Sequence, residues 1–258
     1  MKRIIMLMAV LASSNAWSYN LEFQNLSQAD IEKIAGDFSA NFAHTSVSGA
    51  SSLGDLWGFE IGAIGSYTTT NEIDAIIKRE GINANADLLA NGALLGRVSV
   101  PMGLTFEISG IPTVGNDSFE FSNYGGAVMW TLPQPLPLEL AVKGHYTKTS
   151  VTYFQPVNFV DTEVKYENSV AGLDLIASKS FLVVEPYVGI GYIKADGDFT
   201  VTGTSTIFNF TASQTASADD TGIEFFAGLE FSFFAKIALQ YANRFGENCY
   251  TAKVSIGF

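Results

Sequence analysis

Cys249-Tyr250-Thr251-Ala252-Lys253-Val254-Ser255-Ile256-Gly257-Phe258 is the stretch that decides the fold. Tyr250, Ala252, Val254, Ile256 and Phe258 share one parity; Thr251, Lys253, Ser255 and Gly257 share the other. An alternation of period two is the pattern of a strand with one apolar and one polar face.

The same pattern recurs upstream. Gly246-Glu247-Asn248 predicts a tight turn, and Lys236–Phe245 a strand in front of it. Phe233-Phe234-Ala235 turns back to Gly222–Ser232, where Ile223, Phe225, Ala227, Leu229 and Phe231 alternate with Glu224, Phe226, Gly228, Glu230 and Ser232. Further strands are predicted at Phe181–Ala195, Lys165–Ala177, Leu138–Lys148, Phe121–Thr131, Gly103–Gly110, Gly92–Val100 and Trp57–Ser66. Pro186 lacks a ladder donor, so a local irregularity is expected there. Segments 67–90, 111–120, 149–164 and 196–221 read as longer loops, and Asp196-Gly197-Asp198 and Asp219-Asp220 as acidic loop tips. Thr200–Ser217 could also extend the sheet as a hairpin.

These hairpins, the two aromatic belts described below and the terminal Phe258 resemble the bacterial outer-membrane β-barrels. The resemblance covers residues 55–258 and identifies no subfamily. It implies an all-β fold: an antiparallel transmembrane barrel of about ten strands, with eight or twelve as alternatives. It also implies that the last strand runs from the exterior to the periplasm and engages the barrel-assembly machinery through Phe258. Outer-membrane lipid would then be the surrounding partner. Trp57, Trp130, Phe181, Phe231, Phe233, Phe234 and Phe258 would form the periplasmic belt. Tyr67, Tyr124, Tyr146, Tyr166, Tyr192, Tyr241 and Tyr250 would form the outer one.

The opening residues agree with export to that membrane. Met1-Lys2-Arg3 precedes an apolar run, Ile4 to Ala12, and small residues at Ala16 and Ser18 predict cleavage of a signal peptide at residues 1–18. The run is too short to span a bilayer, which needs roughly 20 residues. Cleavage leaves 12 basic against 26 acidic residues, a net charge of −14. So acidic a chain has no natural affinity for nucleic acid. A single cysteine, Cys249, excludes an intrachain disulfide.

Residues 19–54 form a segment ahead of the barrel, either periplasmic or a plug. A helix is expected over Ser27–Ala43, with Ser27 and Asp30 resembling a capping box. Ile31, Ile34, Phe38 and Phe42 recur at helical spacing. Phe226, Met129, Leu95 and Ile64 are its candidate apolar partners in the lumen; packing beneath the barrel is the other reading. A second helix is predicted around Asn71–Arg79.

The polar strand faces carry Glu60, Arg97, Glu107, Glu139, Lys143, His145, Asp174, Glu185, Glu224, Glu230, Lys236, Arg244 and Lys253. Charge is costly against lipid, so all are expected in the lumen. They either pair and fill it or line a path favouring cations. Lys253 is expected to meet Glu60. A small-solute channel or passive or gated transporter is the first functional expectation, and a non-conducting structural or surface-interaction (adhesion-type) barrel the second. A hydrolase would require His145 to work with a partner such as Ser150 or Asp161, and no motif surrounds it. With one cysteine and two histidines far apart in sequence, no metal or cofactor is expected.

Overall fold

The computed structural model describes residues 28–54, 56–79, 87–133, 137–157, 160–205 and 210–258. The predicted signal peptide and Ser27 lie outside them. Ten strands close into one antiparallel barrel: β1 (Gly58–Thr69), β2 (Leu88–Val100), β3 (Leu104–Asn116), β4 (Phe119–Thr131), β5 (Glu139–Val157), β6 (Val160–Ser178), β7 (Val184–Ser205), β8 (Phe210–Ser232), β9 (Lys236–Arg244) and β10 (Glu247–Gly257). Helix α1 spans Gln28–Phe42, and α2 spans Asn71–Arg79 between β1 and β2.

The final stretch makes the closure. β10 pairs with β9 on one side and with β1 on the other, in a register that sets Lys253 opposite both Ala238 and Ile64. Its outward residues Val254 and Ile256 are more than half exposed, while Lys253 is wholly buried. The same inversion runs round the wall. Ile61, Leu94, Ile108, Leu173, Ile190, Ile223 and Leu239 face outward, and the buried set is rich in charge. A band of exposed aliphatic residues with a charged interior suits a bilayer and would be untenable in water.

Several sequence expectations change. The predicted loops at 111–120, 149–164 and 196–221 are largely strand: β5 to β8 run 19, 19, 22 and 23 residues. Crossing the bilayer takes about 9–11 residues, so these four strands project as a sheet roughly 20–30 Å beyond it. The acidic tips are paired ladder residues, with Asp196 opposite Asp219. The turn predicted at Gly246–Asn248 moves back to Phe245-Gly246, both at positive φ, as a two-residue hairpin of the twisted kind requires.

Pro186 causes no register shift. Its carbonyl accepts from Lys179 N, so its nitrogen faces the β6 side, where the ladder already ends at Ser178–Tyr187. The irregularity lies instead between Ile111 and Val114, around Pro112. Tyr166 also departs from the outer belt. It is 4% exposed and points inward, stacked on Phe199 with ring centroids 4.3 Å apart. Its parity with Asp174, eight residues on, carries that information.

Candidate functional site

The lumen is the candidate site, and its first occupant is the chain itself. Helix α1 touches β8, β6, β7, β1, β2 and β10, so it lies inside the barrel and not beneath it. Phe42 is buried; Ile31, Ile34 and Phe38 are half-buried. The apolar partners differ from those expected. Phe38 meets Tyr166 at 5.1 Å between ring centroids, and Phe42 meets Phe121 at 5.4 Å. The rest of the helix fits the wall through small and polar groups. Ser39 Oγ lies 3.3 Å from Asn168 Oδ1, Asn41 Nδ2 donates to the Leu89 carbonyl, and Cys249 Sγ sits 3.5 Å from the Ala40 carbonyl.

The outer end of α1 is clamped by α2. Arg79 donates two bonds, 2.8 and 3.0 Å, to the carboxylate of Asp30, the residue that the sequence places in a capping box. Lys33 pairs with Glu72 at 2.7 Å. In return Asp37 accepts the amide of Ile73 in the first turn of α2, at 2.9 Å, where a helix N-terminus favours a carboxylate. Burial nevertheless raises the Asp37 pKa to about 7, opposed by that amide and assisted by the nearby Glu247 and Glu72.

Below α1 the chain descends through residues 43–54, fastened to the wall by polar bonds. His44 Nε2 is 3.0 Å from Glu107 and its Nδ1 is 2.8 Å from Ser109 Oγ. Ala50 N donates to Ser178 Oγ, Ser51 Oγ to Glu185, and Leu53 N to Ser99 Oγ. The sequence leaves this segment, within residues 19–54, as either periplasmic or a plug, and names no wall contacts for it. Its run of serines and threonines was the available signal, because hydroxyls are what a polar wall can hold.

Beneath the plug the predicted lumen residues form two ionic groups. In the first, Glu60 receives Lys253 at 2.7 Å, Arg97 at 3.0 Å and Ser255 Oγ at 2.8 Å. Arg97 also binds Glu107 at 2.8 Å, and Lys253 and Lys236 reach Glu230 at 2.8 and 3.1 Å. In the second, Lys143 lies 3.0 Å from Asp174, Arg244 holds Glu224, and His145 stands between the two carboxylates. Five acids thus face five bases. The two remaining acids of the predicted set, Glu139 and Glu185, are half-buried near the strand ends away from α2 and bonded to serine hydroxyls.

Lumen-facing glycines make this density possible. A Cβ on Gly172 would stand 2.2 Å from His145 Nε2, and one on Gly191 would stand 2.1 Å from Asp174 Oδ1. Among the described residues, a cavity of about 30 Å³ lies beside the plug, bounded by Asn41, His44, Ile64, Ser66, Asn91 and Asn123. That is about the share of one water in the liquid.

The hydrolase geometry is not assembled. The His145 side chain is fully buried, and Ser150 lies five positions along the same strand, roughly 16 Å away. Asp161 pairs farther out, opposite Pro156. The two histidines do converge: their ring centroids are 6.3 Å apart.

A family model described as a family of unknown function, DUF6588, matches residues 4–258. The chain belongs to that family. No curated protein matches it in sequence. Solved structures similar to it include outer-membrane β-barrels. The attachment invasion locus protein Ail of Yersinia pestis aligns at 16% identity over 78% of this chain and 97% of its own, with a TM-score of 0.32. The translocator domain of the autotransporter NalP from Neisseria meningitidis gives 8% identity, 80% and 89% coverage and 0.45. The outer-membrane protease OmpT from Escherichia coli gives 8%, 81% and 100%, and 0.43.

Proposed function

We propose that this family member is a bacterial outer-membrane barrel, exported with a cleaved signal peptide, that is closed at rest by its own N-terminal segment. It works through the sheet formed by the outer parts of β5 to β8. One observation carries the reading: the lumen is occupied from α1 down to Leu53 by chain that bonds to the wall, over a charge-balanced network. A pore of that kind passes no ions, whereas the projecting sheet is long, paired and accessible. Bilayer lipid surrounds the wall, and the strand ending in Phe258 is the element that assembly machinery would read. A hydrolase is the reading least supported, given the burial of His145.

The test is planar-bilayer recording of the refolded protein. No unitary current is expected from the wild type, and removing the outer halves of the β5–β6 and β7–β8 hairpins should leave a folded, silent barrel that no longer binds cells or surface partners. Steady conductance from the intact protein would overturn this.

A gated channel is favoured by a different observation. The plug is held by hydrogen bonds, ion pairs and small side chains, and the one cysteine, Cys249, is free. A plug so held can leave without breaking a covalent bond. Under that reading, conductance appears when α1 is released and disappears when it is cross-linked to the wall.

A further inference from the structure

We propose that His145, Asp174 and Glu224 form a binding site for a divalent transition-metal ion of the zinc type. Each offers one ligand atom, and these atoms all lie within 4.8 Å of one another on the buried lumen face. His145 comes from β5, Asp174 from β6 and Glu224 from β8, so the site spans four adjacent strands of the wall with β7 beneath it.

The groups are close but poorly aligned for hydrogen bonding, and their arrangement suits coordination. His145 Nε2 is 3.3 Å from Glu224 Oε1 and 3.7 Å from Asp174 Oδ2, and neither ring nitrogen makes a hydrogen bond. Asp174 Oδ1 is also buried without a hydrogen-bond partner. A buried imidazole and carboxylate oxygen left in this state are costly. Two ligands about 2.1 Å from a tetrahedral ion stand roughly 3.4 Å apart; the His145–Glu224 separation of 3.3 Å matches this and the His145–Asp174 separation of 3.7 Å is slightly wider. One imidazole with two carboxylates suits zinc and its neighbours better than calcium or magnesium, which prefer oxygen alone.

The surroundings are those of held ligands. Arg244 engages Glu224 through Oε2, leaving Oε1 turned to His145. Lys143 engages Asp174 through Oδ2, leaving Oδ1 unbonded. The Arg244 contact orients its carboxylate as outer contacts to metal ligands do, whereas the Lys143 ammonium sits on the Asp174 oxygen nearest His145. The two cations already balance the two carboxylates, so the ion competes with Lys143 for Asp174. The Phe226 ring, 5.4 Å from Lys143 Nζ, offers the displaced ammonium a cation–π partner. Gly172 and Gly191 keep open the space that a Cβ would fill.

The ion must load before the plug seals the lumen, so the barrel is refolded with Zn²⁺, separated from free metal, and its zinc measured. Co²⁺ is substituted in parallel to read the visible band of a tetrahedral site, and barrel folding is checked by heat-modifiable gel migration. About one ion per folded barrel is expected for the wild type and for His44→Ala, which removes the neighbouring histidine and its bonds to Glu107 and Ser109 but none of the three ligands. His145→Ala should lose the ion and the Co²⁺ band while still folding. Lys143→Met should bind at least tenfold more tightly. A folded wild type that retains no metal, metal retained equally by His145→Ala, or no gain in Lys143→Met would each overturn the proposal.

Discussion

Lys253→Met isolates what the buried ionic network contributes. Lys253 is 0% exposed and bridges Glu60 and Glu230 at 2.7 and 2.8 Å. Without it, Glu60 keeps Arg97 and Ser255 close by, and Lys236 at 3.5 Å. Glu230 keeps only Lys236, at 3.1 Å, whose side chain is 23% exposed and therefore partly hydrated. The loss is thus concentrated on Glu230, left buried with one weakened partner. Removing one member of a buried pair costs about 3–5 kcal/mol, and the surviving Lys236 contact sets the expectation at the lower end, about 3 kcal/mol. Lys253→Met combined with Glu230→Gln removes both charges and should recover at least half of that loss, because the remaining Glu60, Glu107, Arg97 and Lys236 stay balanced. Urea unfolding in lipid vesicles measures it, with the lipid-facing Trp57 and Trp130 as fluorescent reporters. A single-variant loss below about 1 kcal/mol, or a double variant no more stable than the single, would refute the reasoning.

Cys249 gives a native probe of the plug, since its buried thiol lies under Ala40. Asp37 binds its proton more tightly folded than unfolded, so docking is favoured by acid and weakens as pH rises through about 7. At pH 8, Asp37→Asn should therefore slow thiol modification of Cys249 several-fold relative to wild type, with the variant-to-wild-type ratio moving toward one as the pH falls below 7; a ratio equal at pH 8 and pH 5 would count against it. Arg79→Ala removes both bonds to Asp30 and should raise deuterium exchange in the first turns of α1 while leaving β9 and β10 protected. Gly191→Ala forces a Cβ into the Asp174 carboxylate and the Leu173 carbonyl, at 2.1 and 3.0 Å, and should destabilise the barrel by about 1–3 kcal/mol in the same urea assay.

The wall of this protein was legible residue by residue. Alternation in Cys249–Phe258 and in Gly222–Ser232 assigns each side chain a face, because a strand has only two. Lipid on one side then sends Glu224, Glu230 and Lys253 inward without knowledge of their partners. The helix at Asn71–Arg79 was equally local, set by Ile73, Ile76 and Ile77 at helical spacing. What strand lengths hid was the outer sheet: the polar, hydroxyl-rich 196–221 looks like a loop because, above the membrane, neither face is required to be apolar.

Only closure of the barrel decided the contents of the lumen. Lys253 and Glu60 are 193 residues apart and meet because β10 returns to β1. His145, Asp174 and Glu224 converge through the registers of β5 to β8, and two inward glycines leave the room they need. The place of α1 was likewise undetermined by its own pattern. Phe38 and Phe42 require apolar partners, and a sequence read along one strand at a time cannot say that Tyr166 and Phe121 stand together inside. Period and polarity are local quantities and survive in the sequence. Which charges neutralise one another, and what fills the space between the walls, are set by distances that exist only once the sheet has closed.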